Sequence, residues 1–218
     1  MRREITIEIE PGRSVSGRWR VPGQPSSTAV LLAHGAGAGQ DHPAITRLAE
    51  GLVGRGLPVL TFNYPYMDAG RRFPDRQEVL LSCHRAAADW LTQQSFRRLV
   101  LAGRSMGGRM ASYLAAEGYP CAGLVLYAYP LHPAGKPDRI RADHLPRVTV
   151  PMLFFVGGRD RLALPHLVER HLTTLKRGEL KIIPHADHSF NVPKRVGSRQ
   201  EVLKGILYHT AQWISSLG

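Results

Sequence analysis

Apolar and polar positions repeat along this chain with two different periods, and their order predicts the architecture. Ile5, Ile7 and Ile9 alternate with polar residues, and Val15, Gly17, Trp19 and Val21 do so more loosely. Two antiparallel strands joined through Pro11-Gly12 are therefore expected at a sheet edge. Ala29 to Ala33 is an uninterrupted apolar run, the pattern of a buried strand, and a glycine-rich turn and a helix from about Pro43 to Gly54 follow it. Pro58 to Asn63 reads as the next strand. Between Asp75 and Gln94 the apolar residues Val79, Leu80, Cys83, Ala86, Ala87, Trp90 and Leu91 recur with a period of about 3.6, which predicts one long amphipathic helix.

The same alternation continues to the end. Arg98 to Gly103 is a predicted strand, Met106 to Glu117 a helix stopped by Gly118 and Pro120, and Gly123 to Tyr127 a strand. Val148 to Gly157, entered through Pro151, is a further strand; Leu164 to Leu175 is a helix, Glu179 to Ile183 the last strand and Gln200 to Ser215 a closing helix. Strands alternating with helices predict a mostly parallel sheet of about eight strands, covered by helices on both faces. No repeat or linker divides the chain, so residues 1–218 are expected to form a single α/β domain, a size that buries enough apolar surface to fold unaided. The one long connection, about residues 131–148, is rich in proline and is a candidate lid, too short for a separate cap domain.

Composition narrows the function classes. The 218 residues are 43% apolar and 21% charged, as in ordinary globular proteins. Two cysteines, Cys83 and Cys121, make no framework of disulfides and no C-x-x-C pair. The first ten residues lack the continuous apolar core of a secretory signal, and no apolar run approaches the roughly 20 residues that cross a bilayer. A cytoplasmic protein without membrane insertion is expected. The net charge of +12 favours encounters with polyanions. Its arginines are spread along the chain, however, with no block of like charges and no nucleic-acid-binding signature, so no nucleic-acid partner is expected.

The sharpest chemical signal is Leu99-Val-Leu-Ala-Gly-Arg-Ser-Met-Gly-Gly-Arg109, a buried strand that runs through G-x-S-x-G into a helix. Gly103 and Gly107 flank Ser105, where side chains would collide with the strand and helix joined by so sharp a turn. The turn lifts the Ser105 hydroxyl over the sheet and sets the Met106 N–H at the start of a helix, where unpaired amides and the helix dipole favour an oxyanion. Leu31-Leu-Ala-His34-Gly-Ala-Gly-Ala-Gly39 also follows a strand, but it lacks the lysine of a phosphate-binding P-loop, and its glycines break the dinucleotide pattern at Gln40.

With these motifs the whole chain resembles the α/β-hydrolase superfamily. It is similar in particular to small, nearly capless hydrolases of the dienelactone-hydrolase-like type and to the testis-expressed and NSL-complex-subunit group, which share His-Gly-Ala-Gly and the G-x-S-M-G-G elbow. Dienelactone hydrolases proper use a cysteine nucleophile where this chain has Ser105. The resemblance implies a triad in the chain order serine, acid, histidine. The acid then falls at Asp160, on the turn Gly157-Gly-Arg-Asp160 after a strand, and the base at His188, in the loop His185-Ala-Asp-His188 after the last strand. Asp187 is the rival carboxylate and His185 the rival base; adjacent residues of an extended loop point apart, which disfavours Asp187. His185-x-x-His188 has the spacing of a metal pair, but no further ligands accompany it, and neither metal nor cofactor is expected.

The resemblance also implies that the Ala36 N–H joins Met106 as an oxyanion donor and that His34 braces the loop. The implied activity is hydrolysis of a small acyl ester or thioester through an acyl-enzyme on Ser105. A non-catalytic scaffold with the same fold and a serine peptidase are the alternatives. Strand-end loops nominate Tyr64, Tyr66, Tyr129 and His132 as substrate contacts, and Arg71, Arg72, Arg104 and Arg109 near the mouth suggest an anionic substrate.

Overall fold

A computed structural model describes residues 1–217. One eight-stranded sheet carries the fold, built from β1 (Arg2–Glu10), β2 (Arg13–Arg20), β3 (Thr28–Ala33), β4 (Val59–Phe62), β5 (Arg98–Arg104), β6 (Gly123–Tyr127), β7 (Met152–Gly157) and β8 (Gly178–Ile183). Their spatial order is β1-β2-β4-β3-β5-β6-β7-β8. The β1-β2 hairpin is antiparallel and the sheet is mostly parallel, as the sequence pattern predicts; β2 is also antiparallel to β4. This is the α/β-hydrolase arrangement.

The central strands are apolar at nearly every inner position because each buries both faces; Thr61 in β4 is a buried exception. Leu31, Leu60, Leu101, Leu126 and Phe154 point into one core with helices α3 (Gln77–Thr92), α4 (Met106–Ala116) and α5 (Pro165–Leu172). Their neighbours Val30, Leu32, Val59, Val100, Val125 and Phe155 point into the other, against α1 (Pro43–Val53) and α6 (Arg199–Ser216). Side chains alternate across a strand with period two, so one run of apolar residues serves two layers. Ser198 opens α6 with a capping box closed by Glu201, which satisfies amides that the helix itself leaves unpaired.

The expected elements are present, with three adjustments. A short helix α2 (Pro65–Asp68), started by Pro65, follows β4 where only a loop is predicted. The strand expected from Val148 begins at Met152, because residues Leu145–Arg147 form a single 3-10 turn before it. Helix α5 ends at Leu172 rather than Leu175. Among the described residues no helix is long and apolar enough to cross a membrane.

The 131–148 connection is packed down as a wall. Arg141 N–H donates to Leu131 O at 2.8 Å, His132 N–H to Leu162 O at 3.1 Å and Tyr129 Oη to Arg141 O at 2.7 Å. His144 lies stacked on Tyr113 of α4, with ring centroids 3.7 Å apart, and its Nε2 is 2.8 Å from Ser112 Oγ. The Ser112 hydroxyl donates to Arg109 O at 2.8 Å, so the His144 Nε2–H is left to donate to Ser112 Oγ. Both residues are buried and, among the described residues, no carboxylate bonds the other ring nitrogen of His144, so this second serine-histidine contact anchors the wall to α4.

Candidate active site

Ser105 sits between β5 and α4 in a left-handed conformation, φ 53° and ψ −117°. A non-glycine residue held there stores on the order of 1–3 kcal/mol of strain, which the surrounding packing must hold in place. The flanking glycines show how it does so. A Cβ at Gly103 would lie 2.3 Å from the carbonyl carbon of Gly107, and one at Gly107 would lie 2.5 Å from Ala33 O. Strand, turn and helix are in backbone contact, which holds the turn that carries Ser105.

The other two predicted residues converge on it. His188 Nε2 is 3.0 Å from Ser105 Oγ, and His188 Nδ1 is 2.7 Å from Asp160 Oδ2. Asp160 is buried, and its second oxygen accepts from Leu162 N–H at 2.8 Å, which leaves Oδ2 aimed at the imidazole. With Nδ1–H held by a carboxylate, the imidazole presents Nε2 as an acceptor to the serine hydroxyl. A third glycine makes the approach of the two loops possible. A Cβ on Gly157, at the end of β7, would meet Ala186 O at 2.5 Å and Asp187 O at 2.6 Å.

The rival residues have other partners. Asp187 accepts from Ser189 N–H at 2.8 Å and from Asn191 N–H at 2.9 Å, and so ties the histidine loop to itself. Burial raises its pKa, but the bonds from Asn191 and Ser189 outweigh burial and leave it below the usual carboxylate range. His185 is exposed with φ 60° at the turn and makes no side-chain bond among the described residues.

The Gly-rich loop after β3 is braced from beneath. His34 is fully buried; its Nε2 accepts from Tyr64 N–H at 3.1 Å, so Nδ1–H donates to Gly35 O at 2.8 Å. Burial pushes its pKa down to about 4, which keeps the ring neutral and suits it to bracing. Gln40 N–H donates to Asn63 Oδ1 at 2.8 Å and Gly37 N–H to Tyr66 Oη at 3.3 Å, fixing the far end of the loop. Ala36 N–H has no acceptor within the described chain, and Met106 N–H belongs to the first turn of α4, where amides lack intrahelical partners. Both residues line a hollow of about 380 Å³ that also exposes Ser105, His132, Arg109, Arg141 and Leu162. A larger hollow of about 510 Å³ lies beside Met152, at the amino end of β7, and does not reach the serine.

The expected substrate contacts divide. His132 lines the hollow. Tyr64, Tyr66 and Tyr129 are fully buried and do not line it, which corrects their nomination. Each tyrosine body fills core space while its hydroxyl finds a partner inside the protein: Tyr64 with His84 Nδ1 at 2.9 Å, Tyr66 with Gly37 N–H and Tyr129 with Arg141 O. Of the four arginines, Arg109 lines the hollow, Arg71 pairs with Asp75 and Arg72 is exposed. Arg104 turns the other way, donating to His188 O at 3.2 Å and to Ser189 Oγ at 3.1 Å. Sequence reading missed that role, and also His84, a fully buried imidazole under Tyr64 whose pKa burial lowers to about 3. The sole hint of His84 is its place on the inward stripe of α3.

Known proteins share this framework. Residues 26–215 match the family described as "Alpha/beta hydrolase domain". The uncharacterized protein Rv2307c of Mycobacterium tuberculosis is 31% identical over 191 residues, and the alignment covers 77% of this chain and 65% of that protein. The chain therefore spans slightly less than two thirds of that relative's length. The crystal structure of dienelactone hydrolase from Anabaena variabilis superposes with a TM-score of 0.74 at 26% identity, covering 100% of this chain and 96% of that one. XC6422 from Xanthomonas campestris, described as an α/β serine hydrolase without a lid, superposes with a TM-score of 0.74 at 22% identity, over 97% and 94% of the two chains. By its sheet, its elbow and this match over most of its length, the chain belongs to the α/β-hydrolase family.

Proposed function

We propose that this protein is a serine hydrolase that cleaves a small carboxylic ester or thioester through an acyl-enzyme on Ser105. The observation that carries the reading is the continuous chain of hydrogen bonds from Ser105 Oγ through the His188 imidazole to Asp160, 3.0 Å and 2.7 Å long. His188 Nε2 removes the hydroxyl proton as Ser105 Oγ bonds to the substrate carbonyl carbon. Asp160 holds the imidazole in the tautomer that can accept that proton and stabilises the imidazolium that results.

Negative charge then develops on the carbonyl oxygen, over the amides of Ala36 and Met106. Each such donor, preorganised before the reaction, is worth about 3 kcal/mol in the transition state. Collapse of the tetrahedral intermediate breaks the bond to the alcohol or thiol, which leaves with the proton from His188. Water, deprotonated by the same imidazole, attacks the acyl-enzyme and returns Ser105 to its starting state.

A fluorophosphonate probe followed by mass spectrometry tests the assignment. Labelling at Ser105, lost in Ser105→Ala together with hydrolysis of 4-nitrophenyl esters, is the expected result. An inert Ser105 in folded wild-type protein would instead favour a binding scaffold. Full esterase activity in Ser105→Ala would overturn the assignment outright.

A further inference from the structure

The hollow beside Ser105 carries more positive charge than a neutral acyl group needs. Arg109 reaches it from α4, one turn beyond the elbow, and Arg141 reaches it from the 131–148 wall. Among the described residues neither guanidinium makes an ion pair or any side-chain hydrogen bond. Arg109 Nε and His132 Nε2 are buried without a hydrogen-bond partner among the described residues. Burial, and after it the nearby charge of Arg109, lowers the pKa of Arg141.

The hollow holds one carboxylate, that of Asp75, which pairs with Arg71; its Oδ2 is itself unpartnered. Two half-buried guanidiniums that repel each other and have no counterion are costly to hold together, and an anion placed between them removes that cost. Folded proteins seldom leave buried donors unpaired without a ligand or function to explain them.

The geometry also says which part of the substrate enters. The leaving group must take its proton from His188 Nε2, so it lies on the imidazole side of Ser105. His188 does not line the hollow, whereas Ala36 and Met106, the oxyanion donors of the reading above, do. The hollow is thus the acyl side.

On the serine hydrolase reading above, we infer that the acyl group carries a second, ionised carboxylate. The substrate class is the half-ester or half-thioester of a short dicarboxylic acid, with its free carboxylate held by Arg109 and Arg141. A guanidinium offers paired donors that match the two oxygens of a carboxylate, so the site favours this group over an alkyl terminus of equal length. Pro130, Pro133 and Leu162 line the same hollow and supply apolar surface for the methylenes between the two carbonyl groups.

The test compares mono(4-nitrophenyl) glutarate with 4-nitrophenyl valerate, which differ in a carboxylate against a methyl group. Ser105→Ala supplies the background rate for each. The expected result is a kcat/KM at least about tenfold higher for the acidic ester, with that ratio falling to about one in the Arg109→Met/Arg141→Met double variant. Arg141→Met alone, a loop substitution, is expected to lose most of the preference and guards against misfolding of the double variant.

Equal or better use of the valerate by wild-type protein would overturn the inference and leave the serine hydrolase reading standing. If neither ester is cleaved and the fluorophosphonate does not label Ser105, the hydrolase reading fails. Calorimetric binding of free glutarate then decides the anion site separately. Binding that is lost in Arg141→Met supports the site, and no binding to wild-type protein overturns it.

Discussion

Arg104, the residue immediately before Ser105, donates from its guanidinium to the backbone oxygen of His188 at 3.2 Å and to Ser189 Oγ at 3.1 Å. Elbow and histidine loop, 84 residues apart in sequence, are thereby clamped side by side by a residue that faces away from the hollow. The Arg104 side chain is largely buried, so its bonds are shielded from solvent competition. Arg104→Met should lower kcat by about 10- to 100-fold, because a displacement of His188 by about 1 Å spoils proton transfer. KM should change little, and Arg104→Lys should restore part of kcat. Steady-state kinetics on a 4-nitrophenyl ester would show the split; a rise in KM with kcat intact would mean that Arg104 binds substrate.

Asp160→Asn should reduce kcat by about 10⁴-fold with the fold retained. The amide that replaces the carboxylate can donate to Nδ1, which favours the tautomer with the proton on Nε2, where the serine hydroxyl needs an acceptor. Rates together with near-ultraviolet circular dichroism would separate lost chemistry from lost structure. Retained activity would point to Asp187 as the orienting carboxylate.

Gly157→Ala should destabilise the protein by about 1–3 kcal/mol and also reduce turnover, because the added methyl would press on Ala186 O and Asp187 O, 2.5 Å and 2.6 Å away. The strand end and the loop that carry Asp160 and His188 would be forced apart. A urea titration and an esterase assay on the same preparation check both effects. Wild-type stability would show that the loop can retreat at no cost.

Stability should fall as pH drops below about 6.5, and the buried histidines set the sign. Burial lowers His34 and His144 to about 4 and His84 to about 3. An unfolded chain protonates these rings near pH 6.5, while the folded chain keeps them neutral to lower pH, so the unfolded state binds more protons in between. Each ring adds a slope of up to about 1.4 kcal/mol per pH unit in that window. Urea midpoints at pH 7 and pH 5 should differ accordingly, and His84→Phe should flatten the dependence. An unchanged midpoint would mean that these rings are not held neutral.

The elements of the fold were legible in the sequence because local pattern dictates them. The two-face burial of Val30 and Leu31, or the inward stripe of α3 through Leu80, Cys83, Ala87 and Leu91, follows from periodicity and needs no knowledge of neighbours. The G-x-S-x-G turn was legible for the same reason, since Gly103 and Gly107 report a backbone crossing that no side chain survives. Where the pattern carried no period, boundaries moved: the 3-10 turn at Leu145–Arg147 and the short helix at Pro65–Asp68 are set by single prolines and by packing.

Side-chain direction could be decided only in three dimensions. Tyr64, Tyr66 and Tyr129 stand at strand ends, where sequence places substrate contacts, but the depth of the core turns them inward to internal partners. Arg104 and Arg109 lie five residues apart at the mouth and read alike in sequence, yet the elbow sends one to the histidine loop and the other into the hollow. Sequence alone determined which strands and turns exist and which residue types stand on them, because these depend on neighbours along the chain. The tertiary structure alone decided the 3.0 Å and 2.7 Å approaches joining residues 105, 188 and 160, and the unpaired charge beside them, because those depend on how separate strands pack.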